Sequence, residues 1–219
     1  RNRRLWVVDK ENGGKADALN AGVNASRFPY ILAIDADAIL EEDSLLRVVR
    51  PIVAAPDVVV ATGGIVRIAN GCRIDHGRVL DVRLPSSRLA ILQVLEYFRA
   101  FLIGRVGWSH MNALLIVSGA FGLFRRSLVE AIGGYSSTTV GEDIELVVRL
   151  HRHLRERDED YRIEFVPDPV CWTEAPETLR VLSRQRRRWQ RGLAETLWRH
   201  RGLTLNPRGA LIVDERRRP

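Results

Sequence analysis

Residues 31–40 read ILAIDADAIL, an apolar run that ends in two aspartates, Asp35 and Asp37, before hydrophobicity resumes. Successive side chains on an extended strand point to opposite faces, so positions i and i+2 share a face and converge on one ligand. Ligands of open α/β sheets sit at the carboxyl ends of strands, which is where this pair falls. Two carboxylates there suit a hard divalent cation, Mg²⁺ or Mn²⁺, bridging them to a diphosphate. The same pair also fits a plain turn or cap at a strand end. Taken alone it does not decide.

The flanks place that strand in a fold. Before it stand LWVVD (5–9), which reads as a strand, and KADALNAGVNAS (15–26), which reads as a helix; after it come the helical EEDSLLRVVRPIVAA (41–55) and the strand VVVATGGIVRI (58–68). Such alternation predicts an α/β sheet. A charged, irregular stretch follows, then the amphipathic SSRLAILQVLEYFRAFLIGRVGW (86–108), interrupted by Glu96, Arg99 and Arg105. It is too charged to span a bilayer but suited to lie on one. The remainder predicts a strand in ALLIVSGAFGLFRR (113–126), helices in SLVEAIGG and EDIELVVRLHRHLRER, a strand in YRIEFVPD, and a basic helix over residues 177–201.

The chain of 219 residues, 46% hydrophobic, suits one domain of ordinary size with a real core. Its net charge of +7 is uneven, because residues 180–219 hold twelve arginines against Glu195, Asp214 and Glu215. That balance indicates an anionic partner: a phosphorylated substrate, a membrane surface or nucleic acid. Charge does not choose among them. Cys72 and Cys171 lie far apart without metal-ligand spacing, so neither a disulfide framework nor a zinc site is indicated. The opening RNRRLWVVDKENGGK lacks the apolar core of a signal peptide. Residues 106–124 contain no Asp, Glu, Lys or Arg, yet their glycines and polar residues fit a buried strand entering a loop better than a membrane span.

Further segments bear on chemistry. NGGKADALNAG (12–22) sets Gly13 and Gly14 for a turn and Lys15 at a helix start, near amides suited to a phosphate, although an ordinary loop lysine fits too. Gly141-Glu142-Asp143 opens a helix, where acidic residues favour the helix dipole and caps; capping needs only one of them. If Asp143 faces a cleft it is suited to accept a proton from a hydroxyl nucleophile, with Glu142 placing the acceptor. In QRRRWQRG, Gln185, Arg188 and Trp189 share one helix face and offer an amide, a guanidinium and an apolar platform, suited to a diphosphate and a sugar ring or base. An Arg-rich solvated helix with one buried Trp reads equally from the same letters. The small residues Ser118, Gly119 and Ala120 fall at the end of the buried strand, where they make room for something bulky or for a close backbone contact.

In this order GGKADALNAG, DAD, SGAF, GED and QRRRW resemble the processive family 2 glycosyltransferases, the group of cellulose, chitin, hyaluronan and poly-N-acetylglucosamine synthases. The resemblance covers nearly the whole chain. It implies a GT-A fold, a mixed sheet flanked by helices with amphipathic interface helices, divided as a catalytic part at 1–179 and a basic, membrane-proximal helix and tail at 180–219. It implies a UDP-sugar donor, with a divalent metal, Mg²⁺ or Mn²⁺, at Asp35 and Asp37. Asp143 becomes the general base. Lys15, Gln185 and Arg188 fall on the donor side, and Ser118, Gly119, Glu142 and Trp189 on the side of a carbohydrate or lipid-linked acceptor. An inverting single displacement at the cytoplasmic face of the cell membrane, with no nucleic acid partner, completes the expectation.

Three departures from the family pattern stand out. The first strand of the fold, with its nucleotide-binding Asp motif, is expected before Arg1; the base motif is Gly-Glu-Asp rather than Thr-Glu-Asp; and the family's transmembrane helices are expected outside this chain. The competing readings are a non-processive glycosyltransferase or nucleotidyltransferase of the same fold, and a non-catalytic Arg-rich module binding nucleic acid or anionic lipid. One cleft holding both the DAD pair, Asp35 and Asp37, and the Gly-Glu-Asp carboxylate counts against the last, and opposite faces of the sheet support it.

Overall fold

The computed structural model describes residues 5–205. Its strands are β1 (Tyr30–Ile34), β2 (Ile39–Leu40), β3 (Val59–Ile68), β4 (Arg73–Asp75), β5 (Arg78–Asp81), β6 (Phe121–Arg125) and β7 (Arg162–Thr173). Its helices are α1 (Lys15–Ala25), α2 (Ser44–Ala54), α3 (Arg88–Phe98), α4 (Val106–His110), α5 (Arg126–Ala131), α6 (Glu142–Glu156), α7 (Leu179–Arg199) and α8 (Arg201–Leu205). Five strands form a mixed sheet in the order β1-β6-β3-β7-β2, with β3 and β7 parallel and the other pairings antiparallel. Strands β4 and β5 form a separate hairpin within the stretch that sequence left irregular.

The apolar patterns explain the layering. Strand β3 is buried along almost its whole length, as expected of a central strand covered on both faces. Helix α6 turns Leu146, Val147, Leu150 and Leu154 into the same core. Local capping fixes two helix starts: the Ser87 hydroxyl accepts from Ala90 N–H at α3, and the Thr178 hydroxyl from Val181 N–H at α7. The amphipathic segment 86–108 forms α3 and α4, joined by a π-helical stretch, Arg99–Arg105. The basic helix predicted over 177–201 spans α7 and the start of α8; the tail residues 206–219, with Asp214 and Glu215, lie outside the described residues.

Three expectations are corrected. LWVVD is not a strand: no strand pairs with it among the described residues, and Leu5 and Val7 are 88% and 84% exposed. Without a partner its backbone gains no ladder and its side chains no face to bury. Within 106–126 the strand is confined to Phe121–Arg125; residues 106–110 are helical, and Ala113, Leu114 and Val117 are buried in non-strand chain that leads into it. Ser118, Gly119 and Ala120 therefore precede the strand rather than end it. Finally, the pair in DAD is not on one face of a strand. Strand β1 stops at Ile34, and Ala38 N–H donates to Asp35 O at 3.1 Å, so Asp35 and Asp37 sit in a tight turn between β1 and β2.

Candidate active site

A pocket of about 330 Å³, open mouth included, lies at the end of β1. Its polar lining comes from Lys15 of α1, Asp35, Ser118, Tyr135, and Glu142 and Asp143 of α6, with Gly119 beside them. The topology explains the convergence. Strands β1 and β6 pair antiparallel, and Asp35 N–H continues the ladder by donating to Ala120 O at 3.0 Å, which ties the Ser118–Ala120 segment to the aspartate turn. Helix α1 brings Lys15 over the same edge.

Lys15 is the electrostatic hub. Its ammonium lies 2.5 Å from Asp35 Oδ1 and 3.5 Å from Glu142 Oε1, and donates to Gly119 O at 3.4 Å. Burial alone would lower its pKa, but the hydrogen bond and charge of Asp35, with Glu142 and Asp143 behind it, raise it instead. Lys15 is thus cationic at neutral pH and already pairs one oxygen of Asp35.

Asp143 answers both roles that its position suggests. Its Oδ1 accepts from Ile144 N–H at 2.9 Å, a local bond in the first turn of α6, where Gly141 at the N-cap offers no side chain. A Cβ added to Gly119 would stand 3.0 Å from the other oxygen, Oδ2, so the glycine leaves that oxygen its space in the pocket wall. One carboxylate oxygen serves the helix and the other faces the cavity.

Asp37 is exposed in the turn and does not line this pocket, and among the described residues it has no hydrogen-bond or ionic partner. The donor set of Asp35 and Asp37, hard carboxylates with one oxygen of Asp35 taken by Lys15, fits an oxygen-loving divalent ion. No third acidic, His or Cys side chain joins them among the described residues.

Gln185, Arg188 and Trp189 do not line the pocket either. Gln185 is half-buried and Arg188 exposed, while the Arg186 guanidinium lies 4.6 Å from the centroid of the Trp189 ring and pairs through both its amino groups with Glu96. Helix α7 nevertheless passes directly over the start of α6, where Gly192 meets Gly141, and Thr139 O–H donates to Glu195 at 3.2 Å.

Two residues of this region were missed by sequence. Arg105, at the end of the π-helical stretch, rests its guanidinium 3.9 Å from the Phe101 ring centroid and donates to Val117 O at 3.4 Å, behind the Ser118 loop. Burial lowers its pKa to about 10, and the charge of Asp143 opposes that fall, so it stays cationic. Its signal in sequence was a lone arginine in an apolar run, and π-helical turns recur at functional sites. Tyr135 lies after α5 in a segment with no periodicity, and only its place in the fold reveals it.

The mixed sheet flanked by helices is a glycosyltransferase fold of the GT-A type, with the acidic pocket at the end of β1. The family described as "Glycosyltransferase like family 2" matches residues 2–192, and the chain belongs to it. It is 34% identical over 197 residues to the poly-beta-1,6-N-acetyl-D-glucosamine synthase of Staphylococcus aureus (strain COL), covering 89% of this chain and 42% of the relative. It is 32% identical over 202 residues to the synthase of the same name from Staphylococcus epidermidis, covering 91% and 43%. The chain thus spans less than half the length of these curated relatives. Among solved structures, a mannosyltransferase from Pyrobaculum calidifontis, in complex with GDP-Man and Mn2+, superposes with a TM-score of 0.59 at 24% identity, over 89% of this chain and 45% of that one. That likeness concerns the fold.

Proposed function

We propose that this chain forms the sugar-transferring part of a polysaccharide synthase, which moves a sugar from a UDP donor onto the hydroxyl end of a growing chain with inversion at the anomeric carbon. The supporting observation is the free Asp143 Oδ2 in one pocket with Asp35 and Lys15. Asp143 takes the proton of the acceptor hydroxyl as that oxygen bonds to the anomeric carbon; the bond from this carbon to the diphosphate oxygen breaks, and its electron pair leaves with UDP. Lys15 meets developing negative charge at the donor side, and Arg188 of α7 does so from the other. Asp35 and Asp37 would hold a divalent ion, which would supply Lewis-acid neutralisation of the diphosphate. The donor is read as an N-acetylhexosamine nucleotide, in keeping with the sugar named for the staphylococcal relatives.

The reading includes a membrane surface as partner, on the cytoplasmic side, and the exposed apolar residues of α3 support the surface. Leu92, Leu95, Phe98, Leu102 and Ile103 are exposed along one segment, an apolar stripe suited to lie on a membrane surface. No helix among the described residues is long and apolar enough to cross a membrane. The test is UDP release by the intact protein in membranes, supplied with a panel of UDP-sugars and Mn²⁺. Release with one or more sugars is expected, and no release with any of them would overturn the reading.

A further inference from the structure

Two hydroxyls in the pocket have nothing to bond. Tyr135 is 4% exposed and Ser118 6% exposed, both line the cavity beside Asp143, and neither its phenolic oxygen in the one case nor Oγ in the other has a hydrogen-bond partner among the described residues. A buried polar atom left unpaired costs free energy, and such atoms in a native fold call for an explanation. Packing alone would be served by phenylalanine and alanine.

The backbone of Tyr135 is also held more firmly than a core aromatic needs. Asn20 grips it from both sides, Oδ1 accepting from Tyr135 N–H at 2.7 Å and Nδ2 donating to Tyr135 O at 2.8 Å. Gly134 just before it has φ +73°, and any Cβ there would stand 2.4 Å from Asn20 Oδ1. The Arg149 guanidinium donates to the carbonyls of Ile132 and Gly134. Asn20 belongs to the same NGGKADALNAG segment as Lys15, so one helix places both the donor-side cation and the tyrosine. Burial, reinforced by Asp143 and Glu142, holds the phenol far above neutrality, which keeps it a donor.

Part of the same pocket's lining is apolar: Leu19, Ala33 and Phe124. A carbonyl oxygen, an N–H and a methyl are the complement of one donor, one acceptor and an apolar wall. We infer that Tyr135 and Ser118 form a subsite for an acetamido group of the sugar that meets Asp143, with the Tyr135 O–H donating to the amide carbonyl and Ser118 Oγ accepting from the amide N–H. Its methyl packs on Leu19 and Phe124. The inference rests on the sugar-transfer reading above, and the acetamido group belongs either to the donor or to the acceptor sugar.

Tyr135→Phe removes the hydroxyl and keeps the ring. Binding of UDP, UDP-glucose, UDP-N-acetylglucosamine and an N-acetylglucosamine tetrasaccharide is measured on the intact wild-type and variant proteins, beside their thermal midpoints and UDP release. Expected is a loss of at least ~10-fold in affinity for an acetamido-bearing probe, with UDP and UDP-glucose within about 2-fold. The midpoint stays level or rises, because an unpaired hydroxyl has gone. A loss on UDP-N-acetylglucosamine assigns the subsite to the donor, and a loss on the tetrasaccharide to the acceptor. Unchanged affinity for both, or equal losses on UDP-glucose and UDP-N-acetylglucosamine, overturns the subsite. Wild-type protein that releases no UDP from any sugar overturns the sugar-transfer reading, whereas active wild type with an unaffected variant overturns the subsite alone.

Discussion

Gly141 and Gly192 pack backbone against backbone: a Cβ on Gly141 would stand 2.9 Å from Gly192 Cα, and one on Gly192 2.8 Å from Gly141 Cα. The contact joins the start of α6, with Glu142 and Asp143, to the helix of QRRRW. Gln185, Arg188 and Trp189 fall on the Gly192 face of α7 by helical spacing, so this contact sets how that face stands toward the start of α6. It also fixes the glycine that opens Gly-Glu-Asp, since any side chain at 141 would strike Gly192.

Gly192→Ala tests that contact against a known opposing effect. Alanine favours a helix interior by about 1 kcal/mol over glycine. Overpacking against Gly141 costs about 1–3 kcal/mol. A net loss of stability is therefore expected in chemical denaturation, together with reduced UDP release as α7 is pushed off α6. A variant as stable and active as wild type would show that the two helices separate without cost.

Asp143→Asn keeps the side-chain shape and an oxygen for Ile144 N–H, but removes the base. Turnover is expected to fall at least ~10²-fold while UDP-sugar affinity stays within a factor of about 2. Titration calorimetry beside the UDP-release assay separates the two quantities. Near wild-type turnover would return Asp143 to a purely structural place in the first turn of α6.

Asp37→Ala addresses the ion. Because Lys15 already pairs with Asp35, Asp37 is the carboxylate with both oxygens open to a cation. The variant should bind UDP more weakly in Mn²⁺, and its UDP affinity should respond less to added EDTA than that of wild type. Identical Mn²⁺ dependence in the two proteins would remove Asp37 from the metal site.

His151 gives the fold an acid limit. It is fully buried, with Tyr161 O–H at 2.6 Å from Nδ1 and Leu114 O at 2.9 Å from Nε2, an arrangement served by a neutral ring. Burial lowers its pKa to about 4, despite the Leu114 carbonyl that favours the charged form. A depressed folded pKa means that the unfolded chain binds the proton first. Stability is then full above the unfolded value near ~6.5 and falls as pH drops from there toward 4, by roughly 3 kcal/mol. Urea denaturation between pH 7 and 4 measures the slope, and His151→Gln should flatten it. A variant with the wild-type slope would place the acid sensitivity elsewhere.

Periodicity and punctuation revealed most of this architecture. The β3 run, α2, α6 and α7 stand where apolar spacing put them, and Lys15, Asp35, Glu142 and Asp143 line one pocket, a convergence that spacing alone did not give. What eluded sequence depended on distant partners. LWVVD has the composition of a strand, but composition supplies no neighbour to pair with. The DAD turn follows from two hydrogen bonds, one to Ala120 far along the chain, that no local pattern records. Tyr135 owes its position to Asn20, 115 residues earlier, and the π-helical step that aims Arg105 inward looks in sequence like ordinary helix.

Arg188 and Trp189 are neighbours with different expected failures. The face they share is steadied from outside: Arg186 clamps Glu96 of α3 and stacks on Trp189, so α7 is braced against the helix that exposes the apolar stripe. Arg188, exposed and without a carboxylate partner among the described residues, keeps its guanidinium for an anion. Arg188→Ala should therefore lower turnover with little change in the apparent acceptor KM, because diphosphate departure loses a cation. Trp189→Ala should instead raise the apparent acceptor KM, since a sugar ring loses its apolar platform. Removing the brace with Glu96→Gln should give a weaker version of the Trp189 phenotype, as Arg186 no longer holds the indole in place. Steady-state kinetics with a soluble oligosaccharide acceptor separate these outcomes. Small, equal effects of Arg188→Ala and Trp189→Ala on every kinetic constant would show that α7 is a solvated basic helix and no part of the catalytic cleft.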